Sequence, residues 1–314
     1  MQPQQRMSAE DAKAYTAKVR DWWNAHPFTV GLGSEGRNDL TGRVGEVDRS
    51  FFDEVERKYR KWYVGATFDT PADAEALAGR PEKPLLSKFV PYESLRGKKV
   101  LDIAIGTGWT AVAFAQAGAD TWGIDLTEEA IRMSERHAEL KGVSLHLQQA
   151  DAQHLSFSDN EFDFVLAWGC YMHMPDTEQA LRETFRVLKP RGKAVAYWYN
   201  KSSWTYWFNF MFLRGVLAGK LITYKFNPTR IVSRYTDGSS KGGNMLTKVY
   251  TPKELEQMYR AAGFSSVKVE TLPLKGEVEG WPVGKFPIFR YFPQSLRSRM
   301  GKKWAWGVVV TAVK

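Results

Sequence analysis

The chain contains almost no cysteine, since Cys170 is the single cysteine among 314 residues. One cysteine excludes an intrachain disulfide and a zinc site built from cysteine ligands. The amino-terminal stretch, residues 1–13, lacks the apolar run that a secretory signal requires. Apolar residues make up 43% and charged residues 25% of the chain, which excludes disordered and coiled-coil classes. The sequence therefore predicts a globular protein located in the cytoplasm.

Acidic residues are scarce toward the carboxyl terminus. Residues 201–314 carry 19 Lys and Arg but only 6 Asp and Glu, and the whole chain has a net charge of +9. Such an excess of positive charge favours an anionic partner, which could be nucleic acid, a lipid surface or a small anionic molecule. A basic face that only contacts solvent is the alternative, and composition does not decide between these.

Short apolar runs alternate with helical patterns from residue 98 onward. Five runs have the length and apolar character of buried parallel strands, and they are KKVLDIAIG, DTWGIDL, VSLHLQQAD, DFVLAWG and KAVAYWY. Strands that alternate with helices in this way are typical of a doubly wound, mostly parallel α/β sheet. Two later runs, SSVKVETL and WAWGVVVTAVK, are expected to extend the sheet, the final one as an antiparallel strand.

The same patterns divide one domain into four parts. Residues 1–95 are expected to form an N-terminal helical cap, and residues 96–200 a core that binds a cofactor. Residues 201–250 interrupt the alternation with an insertion rich in aromatic and basic residues. Residues 251–314 are expected to complete the core.

A loop with two glycines, Gly106-Thr107-Gly108, follows the first strand and precedes a helix. Glycines there let the backbone approach a ligand closely, and the amino end of a helix offers free N–H groups. With Ala111 the loop also fits the G-x-G-x-x-A pattern of dinucleotide-binding proteins. The loop alone therefore indicates a nucleotide-like ligand without identifying it.

Acidic residues at three strand ends narrow that choice. Asp102 lies inside the first strand, where a carboxylate suits an ammonium group better than a pyrophosphate. Asp125 ends the second strand, where acidic residues accept hydrogen bonds from ribose hydroxyls. Asp151 follows the third strand, where it can accept from the exocyclic amine of adenine. A ligand with an ammonium group, a ribose and an adenine but no phosphate is S-adenosylmethionine.

Five ordered segments resemble the class I S-adenosylmethionine-dependent methyltransferases of small-molecule type, including the quinone-biosynthesis C-methyltransferases. The segments are VLDIAIGTG, WGIDLTEEAI, ADAQHLSF, FDFVLAWGCYMHMPD and RVLKPRGKAVAYW. The resemblance implies a Rossmann-like fold, methyl transfer and S-adenosylmethionine as cofactor. The chain departs from the family at Ala104 and Arg191, where the family has glycine. We expect the methyl group of Ala104 to fit, on the condition that φ there is negative.

The resemblance also implies which residues bind the cofactor. They are Asp102, Ala104, Gly106, Gly108, Asp125, Leu126, Asp151, Ala152 and Trp168. Asp102 and the two glycines would surround the methionine end, and Asp125 would hold the ribose. Asp151 would contact the adenine edge, and the residue after each of these last two acids would also lie against the adenine. Trp168 would line the sulfonium side.

His173 is the first candidate for a general base, because it follows the fourth strand, where this fold opens its acceptor pocket. A neutral imidazole can take a proton near neutral pH. The alternative is that His173 only packs or forms a hydrogen bond near the cofactor. Tyr171 is a second candidate, although a tyrosine there is more typical of a pocket wall. The other four histidines show no spacing that indicates a metal site, and no metal is expected.

The segment 204–224 combines a dense aromatic run with basic flanks. We interpret it as a lid over the acceptor. A core or dimer contact and a helix lying on a membrane surface are the alternatives, since polar residues interrupt an apolar length close to a membrane span. Trp22 and Trp23 could close the same pocket. Aromatic rings beside cationic side chains favour an acceptor with an apolar or aromatic body and an acidic group.

The leading hypothesis is a methyltransferase that acts on a small or medium-sized organic acceptor, which could be anionic. The alternatives are an RNA or protein methyltransferase and a non-catalytic cofactor-binding subunit. A dinucleotide oxidoreductase comes last, because Asp102 has no role in it. No nucleic-acid partner is expected, since no RNA-binding module is recognised in the chain. A peripheral membrane contact is not favoured but stays open, and no pattern indicates the oligomeric state.

Overall fold

The computed structural model describes residues 9–25, 47–63, 84–236, 243–273, 291 and 293–314. Of the expected N-terminal cap it describes helices α1 (Ala9–Ala25) and α2 (Arg49–Trp62) and a 3₁₀ turn at Tyr92–Leu95. Residues 1–8, 26–46 and 64–83 of the cap lie outside the described residues.

Seven strands form one central sheet. They are β1 (Lys99–Ile103), β2 (Asp120–Asp125), β3 (His146–Gln149), β4 (Phe162–Trp168), β5 (Leu188–Tyr199), β6 (Ser266–Leu272) and β7 (Gly307–Val313). Their spatial order is β3-β2-β1-β4-β5-β7-β6. The first five strands are parallel, and β7 lies antiparallel between β5 and β6. The expected doubly wound sheet with an antiparallel final strand is confirmed.

Helices join the strands, and short-range signals set their ends. They are α3 (Trp109–Gln116), α4 (Glu128–Lys141), α5 (Thr177–Val187), a π-helix (Thr205–Leu217), α6 (Lys220–Thr223), α7 (Pro228–Tyr235), α8 (Pro252–Ala261) and α9 (Gln294–Lys303). Thr127 caps α4, and Gly142 ends it with a φ of +66°. Thr251 and Glu254 form a complete capping box on α8.

The register of the sheet brings chemically important strand ends together. Ile103 at the end of β1 pairs with Ile124 of β2 on one side and with Ala167 of β4 on the other. The side chains of these three residues are almost fully buried, as expected for parallel strands covered on both faces. A rigid apolar sheet therefore fixes the carboxyl ends of β1, β2 and β4 beside one another.

Helices of the cap and of the core meet through aromatic stacking. The ring of Phe52 in α2 stacks on His137 of α4 with centroids 4.1 Å apart. Tyr59 of α2 stacks on Trp109 of α3 at 4.5 Å. Offset stacking of this kind adds to the apolar area that such rings bury. These contacts hold α2 against the helix that follows the glycine loop.

The insertion, residues 201–250, packs beside β7. Tyr206 and Phe210 of the π-helix are buried in an apolar cluster with Trp306. Within the described ranges, no helix is long and apolar enough to cross a membrane.

Candidate functional site

A cavity opens at the carboxyl ends of β1, β2 and β4. The strand order reverses between β1 and β4, and open α/β sheets bind ligands at such a switch point. Seven of the nine residues expected to bind the cofactor line this cavity, and they are Ala104, Gly106, Asp125, Leu126, Asp151, Ala152 and Trp168. Trp23 of α1 also lines it, so the cap closes the cavity as predicted for that residue.

Ala104, two residues before the glycine loop, has an unexpected backbone conformation. Ala104 has a φ of +58°, so the expectation of a negative φ is wrong. For a residue with a Cβ this left-handed conformation costs about 1–2 kcal/mol. Gly106 also has a φ of +58° and lines the cavity. The loop therefore keeps the geometry that the family builds with glycine, and Ala104 bears strain there.

Gly108 is needed for packing rather than for lining the cavity. Its φ is +76°, and a Cβ built there would lie 3.1 Å from Ser134 of α4. Gly108 is not one of the described residues that line the cavity. Gly108 therefore allows a tight contact between the loop and α4, and its expected place at the methionine end stays a prediction.

Asp125 is held in one orientation by three donors. Its Oδ1 accepts hydrogen bonds from the N–H of Thr127 at 2.9 Å and from the Thr127 hydroxyl at 2.8 Å. Its Oδ2 accepts from the N–H of Gly106 at 3.2 Å. Burial raises the pKa of this carboxyl, and the hydrogen bonds from Thr127 and Gly106 oppose that shift. Lone pairs remain on both oxygens for hydroxyl donors of a ligand.

Asp102 lies beneath the loop instead of in the cavity wall. Its side chain is 2% exposed, and its Oδ2 accepts a hydrogen bond from the Thr110 hydroxyl. Burial raises its pKa to about 7, the Thr110 bond lowers it, and the nearby Asp125 raises it. The described lining of the cavity does not include Asp102. Asp102 therefore braces the first turn of α3, and its expected interaction with the ammonium group of the ligand, directly or through water, stays a prediction.

Gln153 joins Asp151 to helix α1. Its amide N donates to Asp151 Oδ1 at 3.0 Å and to the Thr16 hydroxyl of α1 at 3.2 Å. Its Oε1 accepts from the N–H of Asp176 at 2.7 Å. Sequence reasoning missed this residue, because its partners are up to 137 positions away. The carboxylate of Asp151 is thereby oriented by a buried amide.

Two buried donors in the wall of the cavity have no protein partner. They are the hydroxyl of Thr107 and the indole N–H of Trp168, judged over the described part of the chain. The ring of Trp168 is fixed, since it stacks on Tyr197 at 5.1 Å and meets Tyr63 edge-on at 5.4 Å. Buried polar atoms without partners are rare, and a ligand that accepts hydrogen bonds would satisfy these.

His173 lines the cavity in a defined tautomer. The side chain is 7% exposed, and its Nδ1 lies 2.7 Å from the carbonyl oxygen of Leu246. Because a carbonyl only accepts hydrogen bonds, Nδ1 carries the proton, and the neutral ring has its basic lone pair on Nε2. The ring of Trp23 contacts the imidazole edge-on at 5.6 Å. The sequence predicted His173 but not Leu246, which lies 73 positions away.

Lys248 fixes the loop that carries His173. Its backbone N–H donates to the carbonyl of Met172 at 2.9 Å. Its ammonium group donates to the carbonyl of Pro175 at 2.7 Å and to the Thr177 hydroxyl at 3.1 Å. Burial lowers the pKa of Lys248 to about 8, and Asp176 and Glu178 oppose the shift. Residues 246–248 therefore brace the His173 loop from the insertion side.

Tyr171 is part of the core, so the structure gives no support to the expectation that it acts as a base. Its hydroxyl pairs with the Thr184 hydroxyl at 2.6 Å, and the side chain is 1% exposed. Burial raises its pKa well above the usual range. Cys170 does line the cavity, and its Sγ donates weakly to the carbonyl of Ile103 at 3.6 Å. Burial likewise raises the pKa of that thiol.

The aromatic run of the insertion faces away from the cavity. None of the described residues of 201–250 lines it. Trp207 is 59% exposed, whereas Tyr206 and Phe210 pack around Trp306. The aromatic run therefore does not form the expected lid over the acceptor, because its buried rings pack in a separate apolar cluster.

The electrostatic character of the cavity is acidic and aromatic. Its lining includes Asp125 and Asp151, and no Lys or Arg among the described residues. The expected cationic rim, including Arg214 and Lys220, is absent from that lining. In the described ranges, no group of three or more His, Cys, Asp or Glu could hold a metal ion. Two acids, unpaired donors and apolar walls fit a nucleoside with a cationic group.

The chain is similar to one family model and to several known proteins. A family model described as a methyltransferase domain matches residues 100–192. An uncharacterised protein of Mycobacterium bovis is 40% identical over 96 residues, and the match covers 31% of this chain and only 35% of that protein's length. A ubiquinone biosynthesis O-methyltransferase of Pseudomonas fluorescens is 34% identical over 205 residues, covering 65% of this chain and 80% of that protein. A solved S-adenosylmethionine-dependent methyltransferase of Archaeoglobus fulgidus is 19% identical, covers 73% of this chain and 91% of its own, and has a TM-score of 0.48.

Proposed function

The chain belongs to the class I S-adenosylmethionine-dependent methyltransferases, and from that premise we propose that it methylates a hydroxyl group of a small, largely apolar organic acceptor. S-adenosylmethionine is the cofactor, and when bound it supplies a methyl group activated by a positively charged sulfur. The observation that carries the proposal is the hydrogen bond from His173 Nδ1 to the carbonyl of Leu246, which orients an imidazole that lines the cavity.

The cofactor is proposed to lie along the strand ends. Asp125, held by Thr127 and Gly106, accepts hydrogen bonds from the ribose hydroxyls. Asp151, oriented by Gln153, accepts from the adenine amine. Losing a hydrogen bond to a charged acceptor costs about 1.5–3 kcal/mol, so either acid is worth roughly 10–150-fold in affinity.

The acceptor is proposed to occupy the aromatic end of the cavity, beside Trp23, Tyr63 and Trp168. Such walls suit an apolar or aromatic body. No Lys or Arg of the described residues lies there to pair with a carboxylate. We therefore assign the acidic group of the acceptor to a weakly acidic hydroxyl, such as a phenol. The Pseudomonas relative is named as an O-methyltransferase, which supports oxygen as the methylated atom.

His173 is proposed to act as the general base. Its Nε2 takes the proton of the acceptor hydroxyl while Nδ1–H stays bonded to Leu246. Asp125 and Asp151 would hold the cofactor, which would supply the methyl group to that deprotonated oxygen. The walls of the cavity hold the two reactants in line and exclude water, which favours a step that neutralises opposite charges.

A direct assay tests this function. Purified protein would be incubated with S-adenosylmethionine and pairs of acceptors that differ only in a phenolic hydroxyl or the corresponding amine. We expect a mass gain of one methyl group on the hydroxyl compounds, dependent on cofactor. Methylation of only the amine, or of RNA or protein substrates, would contradict the proposed acceptor.

A further inference from the structure

We propose that the insertion docks on a lipid membrane surface that carries anionic headgroups. Ten large apolar side chains are exposed among the described residues, and six of them lie within residues 207–226. These six form what we term the apolar surface, and they are Trp207, Phe212, Val216, Leu217, Ile222 and Phe226. Their exposed fractions run from 46% to 74%. So many large exposed apolar side chains in one segment of twenty residues indicate an interaction site rather than an ordinary solvated surface.

The fold holds this surface outward. Tyr206 and Phe210, on the opposite side of the π-helix, are buried with Ile231 and Trp306, so the segment is anchored by one face and exposes the other. The chain turns at Gly219, where φ is +66°. The buried face of the π-helix anchors the segment, and its exposed apolar face is available to contact another apolar environment.

The turn that carries Phe226 is strained. Lys225 and Phe226 have φ of +52° and +55°, in the left-handed region that such residues avoid. Phe226 is nevertheless 73% exposed and gains little from packing within the chain. Strain of this kind persists where the surrounding structure imposes it, and it is concentrated at functional positions.

The charge around the apolar surface selects the partner. Residues 201–236 contain six Lys and Arg and no Asp or Glu. Lys225 and Arg230 are exposed within this range. If a second copy of the chain docked here, positive charges would face positive charges, because this segment has no acidic residue to pair with them. A nucleic acid would match the cations but not a broad aliphatic and aromatic surface. Anionic lipid matches both, because headgroups pair with the cations and acyl chains take up the apolar side chains.

The first test is cosedimentation of the full chain with vesicles of phosphatidylcholine, alone or mixed with phosphatidylglycerol. We expect binding to the mixed vesicles, weakened by salt. The variant Trp207→Ser, Ile222→Ser, Phe226→Ser should lower the partition constant by about tenfold or more. The matched control replaces Trp62, Tyr291 and Leu296, which are exposed outside the insertion, by Ser and should bind as the unmodified chain does.

Charge is tested separately. The double variant Lys225→Glu, Arg230→Glu should bind the mixed vesicles more weakly, by a factor of at least about five for each positive charge removed. Lys253→Glu, at an exposed position outside the insertion, should bind them as the unmodified chain does. Cofactor affinity and the circular dichroism spectrum report that each variant is folded. Three outcomes would overturn the proposal: no binding to anionic vesicles, equal loss in the control variants, or dimerisation that the Ser variant abolishes without any lipid binding. Binding to RNA in preference to vesicles would also overturn it.

Discussion

The core strands and the insertion use aromatic residues in opposite ways. Tyr63 and Trp168 line the cavity at the strand ends, and Tyr197 packs against both of their rings. In the insertion, two aromatic residues anchor the segment while Trp207 and Phe226 remain 59% and 73% exposed. An aromatic run in the sequence is thus compatible with a pocket or with an outward surface, and burial decides which it is.

The difference predicts that changes in the core affect chemistry and changes in the insertion do not. The largest effect is expected for His173→Gln, which keeps a polar side chain but removes the basic nitrogen. We expect kcat to fall by about 10²–10⁴ with little change in cofactor affinity. His154→Gln, at an exposed histidine outside the cavity, is the control. A kcat within a factor of about two of the unmodified chain would remove His173 as the base.

The glycine loop offers a second test on the core side. Gly108→Ala adds a Cβ 3.1 Å from Ser134 at a φ of +76°, so we expect a loss of about 2–3 kcal/mol in the free energy of unfolding. Gly142→Ala has a similar φ of +66° but open space around it, and about 1–2 kcal/mol is expected there. Urea denaturation measures both. Equal losses would show that the contact with α4 is unimportant.

Asp102 gives the core a pH signature. The folded protein keeps this proton up to about pH 7, whereas the unfolded chain releases it near pH 4. The folded state therefore loses stability as pH rises from about 4 to about 7. Asp102→Asn removes that dependence, so between pH 5 and pH 8 the free energy of unfolding should fall by about 2–3 kcal/mol more in the unmodified chain than in the variant. Parallel curves at both pH values would refute the assignment.

Two tryptophans give the smallest expected effect and compare the regions directly. Trp23→Ala removes a ring that lines the cavity, and we expect kcat/KM for a dissolved acceptor to fall about tenfold. Trp207→Ala removes an exposed ring of the insertion and should leave both kcat and kcat/KM unchanged. If Trp207→Ala lowered kcat as strongly as Trp23→Ala, the insertion would act as a lid after all.

Local patterns were sufficient to predict the sheet and several of the residues that line the cavity. Thr127 and Gly142 set the ends of α4 through contacts within a few residues, so the sequence around them predicts the helix. Asp125 and Asp151 follow strands whose apolar runs are unmistakable, and both line the cavity. Parallel pairing then brings their strand ends together, because strands of this kind share one orientation.

Long-range contacts and backbone dihedrals could not be predicted in the same way. The partner of His173, Leu246, is 73 positions away, and Gln153 reaches Thr16 across 137 positions. Ala104 carries no sign in the sequence that its φ is positive. The outward orientation of the insertion depends on which residues pack around Trp306, and its apolar run alone does not specify that.

The measurement that tests the central claim most directly is calorimetric titration of S-adenosylmethionine into three forms of the chain. Asp125→Ala, at the end of β2, should weaken binding roughly 10–150-fold. Glu135→Ala, at an exposed position of α4, should bind as the unmodified chain does, with thermal melts confirming that both variants are folded. Equal affinity in all three forms would contradict a cofactor site built on the carboxyl ends of the parallel strands.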